Sequence, residues 1–189
     1  MQRLRKRSEA LGFALRDEQV GALGRLLTSL LQWNQKINLT SITDPDEIVE
    51  KHFLDSLAAA AAIPAGPRRV VDVGSGPGFP GLLIAFARPD VTVTTVESIH
   101  KKVAFTRQAA RDLGLANLTA RAERLEQIVA GADRFDVAVS RATFEPSEWL
   151  GRALPLLGAS AQSEVHAMTV TAAPALGPPP ELSLDRVVD

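Results

Sequence analysis

A short apolar run, Val70-Val71-Asp72-Val73, breaks into glycine at alternate positions, Gly74, Gly76 and Gly78, and this leaves few folds open to the chain. Glycine after a buried strand lets the backbone turn sharply and approach a ligand with no Cβ in the way. Such turns sit at the carboxyl ends of strands in open α/β sheets. The flanking pattern agrees. Residues 80–87 read as a helix, and 91–96 are β-branched at nearly every position, which predicts a buried strand. A helix follows over 101–113, a brief strand over 118–120, a short helix over 125–129, a strand over 135–139, a helix over 149–157 and a weaker strand over 165–170. Strands alternating with helices imply an α/β fold: a doubly wound, mostly parallel sheet covered on both faces.

Two helices precede this core. In residues 17–33 the apolar positions Val20, Leu23, Leu26, Leu27, Leu30 and Leu31 follow the three-and-four spacing of an amphipathic helix. Asp44, Pro45 and Glu47 announce a second: a capping Asp, a Pro at the first helical position and a Glu three residues after the cap. It should run to about residue 62. The organisation read from the chain is a helical extension over 1–66 packed on the core, a cofactor-binding core over 67–173, and a Pro-rich loop with a partial edge strand over 174–189.

Composition narrows the class further. A chain of 189 residues can bury a core without staples, and it has no cysteine, which excludes disulfides, thiolate metal sites and Cys nucleophiles. A cytoplasmic location and no metal are the expectations. Arg16, Asp17 and Glu18 interrupt the N-terminal apolar stretch before it could span a bilayer, so no membrane association is expected. The net charge of -1 argues against a nucleic-acid partner until it is divided along the chain. Residues 1–142 carry 19 basic and 16 acidic groups, and residues 143–189 carry 2 and 6.

The glycine turn can be asked which cofactor it suits. Counted from Gly74, a dinucleotide fingerprint would need its third glycine where Phe79 stands. Counted from Gly76 the pattern is completed at Gly81, but it places Pro80, which has no N–H to donate, where a pyrophosphate-binding helix would begin. Asp72 would repel phosphate but could sit near an ammonium. A cofactor with an amino-acid head, S-adenosyl-L-methionine, fits this chemistry better. Glu97 ends the second strand about 20 residues past the glycines, where a carboxylate accepts hydrogen bonds from ribose hydroxyls; taken alone it reads as a strand-end Glu facing water, and together with the glycine turn it reads as the ribose ligand. Ala122 and Glu123 follow the third strand, where an adenine ring would be flanked.

Five motifs in order carry a resemblance. They are Trp33-Asn34-x-x-x-Asn38-Leu39-Thr40; His52-Phe53-Leu54-Asp55-Ser56-Leu57; Asp72-Val73-Gly74-Ser75-Gly76-x-Gly78-Phe79-Pro80-Gly81; Lys101-Lys102-x-x-Phe105; and Ser140-Arg141-Ala142. Over about residues 17–157 the chain resembles the small-subunit ribosomal RNA methyltransferase G family, formerly glucose-inhibited division protein B. The resemblance implies a fold of the class I S-adenosylmethionine-dependent methyltransferase type. It also implies methyl transfer to N7 of a single guanine, guanine 527, of 16S ribosomal RNA, free or within the small ribosomal subunit, with S-adenosyl-L-homocysteine as product. Carried over, Asp72, Gly74, Gly76, Gly78 and Phe79 would line the cofactor, Glu97 would hold its ribose, and Ala122 and Glu123 its adenine edge. Arg141 would lie by the cofactor or the target, where its guanidinium could donate to guanine O6 and leave N7 free, or pair with a cofactor or RNA anion; a strand-end surface Arg is the plain alternative.

Guanine N7 has an in-plane lone pair and no proton, so attack on a sulfonium methyl needs no general base. Catalysis would rest on alignment, desolvation and charge placement, with Arg141 as a positioning group. None of His52, His100 and His166 has an evident partner in the sequence, and His52 reads most simply as a packed helix residue. Trp33 reads as core, and Asn34 and Asn38 as turn residues bonding nearby backbone. Lys101 and Lys102 open a helix against its dipole, which suggests phosphate contact or a solvated pair. Arg3, Arg5, Lys6 and Arg7 read as RNA-backbone contacts or, more simply, as a frayed solubilising end. A monomer is expected. The alternatives are a nicotinamide-dependent oxidoreductase, opposed by Phe79 and Pro80, and a non-catalytic cofactor- or RNA-binding relative.

The tail departs from the family pattern. Residues 158–171 lack the Gly-Gly turn and the Lys-Gly pair of its members, and the chain ends at Asp189 before a further closing strand is expected to form. Either the sheet has an open edge there, or the end has diverged and closes it differently.

Overall fold

Val, Thr and Ala stretches pair into the sheet that the β-branched pattern predicts. The computed structural model describes residues 1–141, 143–158, 166–170 and 184–186. Six strands, β1 (Arg69–Val73), β2 (Thr92–Val96), β3 (Leu118–Arg121), β4 (Val137–Arg141), β5 (His166–Val170) and β6 (Leu184–Arg186), lie in the order β3-β2-β1-β4-β5-β6. β1 to β5 are mutually parallel, and β6 runs antiparallel to β5. β6 pairs with His166, Ala167 and Met168 of β5, so the sheet does not end at β5 and the end of the chain closes that part of the edge. The Pro-rich segment 174–180 lies outside the described residues.

Between the strands stand α5 (Gly81–Ala87), α6 (His100–Asp112), α7 (Leu125–Ala130) and α8 (Pro146–Ala153). The period-2 alternation of β1 sends its residues to opposite faces. Val70 joins Ala59, Ile84, Val93, Val137 and Val139 on one face, while Val71 and Val73 join Val96, Leu125, Ile128, Phe135 and Trp149 on the other. Asp72 shares the Val70 face. It is fully buried there against α5.

Ahead of the sheet come α1 (Gln2–Ala10), α2 (Asp17–Asn34), α3 (Pro45–Ile48), a π-helical turn (Val49–Leu54) and α4 (Asp55–Ala62). Leu23, Leu26 and Leu30 form the buried stripe of α2, packed with Phe53, Leu57, Phe79, Leu82 and Phe105 in one shared core. Each fully buried leucine of this kind contributes about 1.5–3 kcal/mol. Asp44 caps α3 as its sequence announces, accepting from the N–H groups of Asp46 and Glu47, both at 2.9 Å.

The basic start is not a frayed end. It folds as α1, with Leu4 and Ser8 buried. Arg3 and Arg7 both pair with Glu50 of the π-helical turn, and Arg5 pairs with Asp17 at 2.8 Å. The alternating apolar and charged residues of this segment gave one face for docking and three cations for the acidic groups beneath.

Candidate active site

Parallel pairing brings the carboxyl ends of the strands into line: Val73 is in register with Val96, Val96 with Arg121, and Asp72 with Val139, two residues before Arg141. The order reverses between β1 and β4, which opens a crevice at that edge. A cavity of about 700 Å³ occupies it. One wall is Val73, Gly74, Ser75, Gly76, Glu97, Glu123 and Leu125, and the other is Thr40, Lys51, His52, Asp55, Phe79 and Arg141.

The glycine loop explains its own composition. Gly74 and Gly76 have φ of 70° and 55°, in the left-handed region where a side chain is strained. At Gly76 a Cβ would meet nothing within 4 Å, so its absence leaves the cavity open for close approach to the backbone. The Glu97 carboxylate ties this loop to the start of α6. It accepts from Gly76 N–H at 3.0 Å and from Ile99 N–H at 2.9 Å.

The opposite wall is a polar network that the sequence did not disclose. His52, on the π-helical turn, is buried and stacks on Phe79 with ring centroids 5.0 Å apart and planes 3° from parallel. Its Nδ1 lies 2.8 Å from an Arg141 terminal nitrogen and its Nε2 3.0 Å from Thr40 Oγ1. The other Arg141 terminal nitrogen donates to the Lys51 carbonyl. π-Helical turns within α-helices often mark functional sites. Here the turn carries Lys51 and His52 to the end of β4, 89 residues away in sequence.

Burial, followed by the Arg141 charge, pushes His52 down to about 3, so the ring is neutral at physiological pH. Burial raises Asp55 to about 6, opposed by Arg141. Burial also raises Asp72 to about 7, opposed by the Gly81 hydrogen bond and Arg141. Arg141 itself is lowered by desolvation and sustained by the charges of Asp72 and Asp55.

The residues singled out from sequence divide as follows. Gly74, Gly76, Phe79, Glu97, Glu123, Lys102 and Arg141 line the cavity. Asp72 does not: strand alternation turns its carboxylate to α5, where Oδ2 accepts from Gly81 N–H at 2.8 Å. Gly78 is turned away too, because a Cβ there would lie 2.7 Å from Leu82 and 2.8 Å from Thr106. Ala122 is not in the lining, and Glu123 is held by Arg121 at 2.8 and 3.1 Å. Lys101 faces a neighbouring hollow of about 270 Å³ with Lys36, Asn38 and Ile99, and Lys102 borders both. Arg3 and Arg5 stand in ion pairs away from the cavity.

Trp33 is half-buried and edge-on to Phe105, as a core residue should be. Asn34 does bond nearby backbone: its Oδ1 accepts from Leu39 and Thr40 N–H, and its Nδ2 donates to Thr40 O. His52 is packed, but it also has partners and faces the cavity, so reading it as packing alone was incomplete. The signal available was Thr40, His52 and Asp55 recurring within the quoted motifs.

Sheet order, crevice and glycine turn together define a protein of the class I S-adenosylmethionine-dependent methyltransferase fold. The O-methyltransferase TomG from Streptomyces achromogenes, solved in complex with SAM, superimposes with a TM-score of 0.53 at 18% identity, covering 76% of this chain and 64% of that one. The family model for rRNA small subunit methyltransferase G matches residues 19–165. A protein of that name from Myxococcus xanthus is 44% identical over 147 residues, 76% of this chain and 67% of the relative. Another, from Geobacter sp. strain M21, is 41% identical over 157 residues, 82% of this chain and 71% of the relative. The chain belongs to the rRNA small subunit methyltransferase G family.

Proposed function

We propose that the protein transfers the methyl group of S-adenosylmethionine to N7 of guanine 527 in 16S ribosomal RNA. The observation that carries this reading is the two-walled cavity: one wall suits a nucleoside cofactor, and the other presents Arg141, Thr40 and Asp55 around a neutral, fully engaged His52. The volume falls within the range of small-molecule sites, roughly 300–1,000 Å³. The open backbone at Gly76 and the carboxylate of Glu97 suit the amino-acid and ribose parts of the cofactor, and Glu123 with Leu125 borders the place for its adenine. When bound, the cofactor supplies an electrophilic methyl group on a sulfonium.

This chain's residues then orient and balance charge. Arg141 is a positioning residue, since both terminal nitrogens are fixed on the scaffold. His52 is a poor base at pH 7, because burial and the Arg141 charge lower it to about 3 and the Arg141 guanidinium occupies its Nδ1 lone pair. Methylation at N7 leaves the base cationic, and the Asp55 carboxylate on the cavity wall, ionised above about 6, offsets that charge. Lys102, with Lys101 and Lys36 beside it, supplies cations for RNA phosphates next to the opening.

Calorimetry tests the cofactor part: S-adenosylhomocysteine should bind and raise the melting temperature, and NAD should do neither. No binding at millimolar S-adenosylhomocysteine would remove the reading.

A further inference from the structure

The network around His52 fixes the direction of every proton in it. A guanidinium only donates, so the Arg141 nitrogen 2.8 Å from His52 Nδ1 makes that atom the acceptor. The neutral ring then carries its proton on Nε2, a tautomer assigned from its partners. That N–H points at Thr40 Oγ1, 3.0 Å away, and Ile42 N–H donates to the same oxygen at 3.2 Å. Both lone pairs of the hydroxyl are thereby taken.

The hydroxyl hydrogen of Thr40 is left to donate, and Thr40 lines the cavity. Its backbone is clamped on both sides by Asn34, through Thr40 N–H to Oδ1 at 3.0 Å and Nδ2 to Thr40 O at 3.0 Å. The result is a preorganised donor whose polarity is set two bonds away by Arg141. A donor of this kind selects a carbonyl oxygen and rejects an exocyclic amino group, which is the difference between the six-positions of guanine and adenine.

Resting on the methyl-transfer reading above, we propose that Thr40 is a substrate-recognising residue that donates its hydroxyl hydrogen to O6 of the target guanine, with His52 and Asn34 as its positioning residues. N7 lies beside O6 on the same base edge, so one hydrogen bond to O6 leaves the N7 lone pair free to attack. The donation fixes the plane of the base against the wall formed by Phe79 and His52, and its contribution is recognition and alignment rather than activation of N7.

The test compares wild type, Thr40→Val and Thr40→Ser in methyl transfer to 16S RNA assembled by ligation with either guanine or 2,6-diaminopurine at the target, the latter lacking O6. The valine variant should lose kcat/KM on guanine by about tenfold to hundredfold, the loss of one preorganised donor. The serine variant should stay close to wild type, and S-adenosylhomocysteine affinity by calorimetry should be unchanged in both. Wild type should lose a similar factor on 2,6-diaminopurine, and combining the valine with that base should cost little more. Losses that multiply independently, a serine variant as impaired as valine, or a parallel loss of S-adenosylhomocysteine affinity would overturn the proposal. A wild type that binds S-adenosylhomocysteine yet leaves the guanine unmethylated would remove the methyl-transfer reading itself, and Thr40's role with it.

Discussion

Asp72→Asn should change the pH dependence of folding in a direction that the burial of this carboxyl dictates. Asp72 is fully buried, one oxygen holding Gly81 N–H and the other without a partner among the described residues. Asparagine keeps the acceptor for Gly81 and removes the ionisation. Moving a carboxyl from its ordinary 3.8 to about 7 costs the ionised form about 4 kcal/mol, at about 1.4 kcal/mol per pH unit. Because the folded value is raised, the stability linked to the protonated group is fully present below pH 3.8 and is lost as pH rises through about 7. Between pH 5 and pH 8 the wild type should lose about 2–3 kcal/mol through this group, and the variant none of it. Urea denaturation of both proteins at the two pH values measures the difference, and any constant cost of the buried amide cancels. A stability difference between the two proteins that is equal at pH 5 and pH 8, or that moves in favour of wild type as pH rises, would refute the reasoning.

Other outcomes follow from the same geometry. Gly76→Ala should cost only about 1–2 kcal/mol of stability, the strain of a left-handed residue, because a Cβ there meets nothing; its S-adenosylhomocysteine affinity should nevertheless fall at least about tenfold, measured by calorimetry. Gly78→Ala, whose Cβ would press on Leu82 and Thr106, should lose more stability than Gly76→Ala in the same melts. Leu30→Ala, in the α2 stripe, should cost about 2–5 kcal/mol in urea titrations and leave cofactor affinity of the folded protein intact. Lys36→Gln with Lys101→Gln should raise KM for RNA and flatten its salt dependence, with no change in S-adenosylhomocysteine binding.

Much of the fold is legible in the sequence because its signals are local. The β-branched run before Glu97, the apolar spacing of α2 and the Asp44-Pro45-Glu47 cap each reflect forces acting within a few residues. The glycine turn is legible for the same reason, since left-handed backbone and an open Cβ position leave glycine little competition. The π-helical turn is not, because its extra residue answers to the packing of His52 on Phe79 and Arg141, a distant strand end. Nor is α1, whose polar sequence gains its helix from Leu4 and from ion pairs to Glu50. Asp72 was legible in principle. The alternation that buries Val71 and Val73 on one face places Asp72 on the other, away from the cavity, but its nearness to the glycines was the louder signal.

The charge along the chain has a structural counterpart in the same terms. Three cations of the basic N-terminus are engaged by Glu50 and Asp17, so the cations at the cavity come from elsewhere: Lys51, Lys102, Arg124 and Arg141 line it, and Lys36 and Lys101 stand with Lys102 at the neighbouring hollow.

The central claim is methyl transfer to one ring nitrogen, and mapping the product tests it most directly. Purified protein, labelled S-adenosylmethionine and small ribosomal subunits from cells lacking this modification should yield one methyl group per 16S RNA. Cleavage at N7-methylguanine should place it at guanine 527. No transfer, or a methyl group on another atom or another nucleotide, would contradict the account.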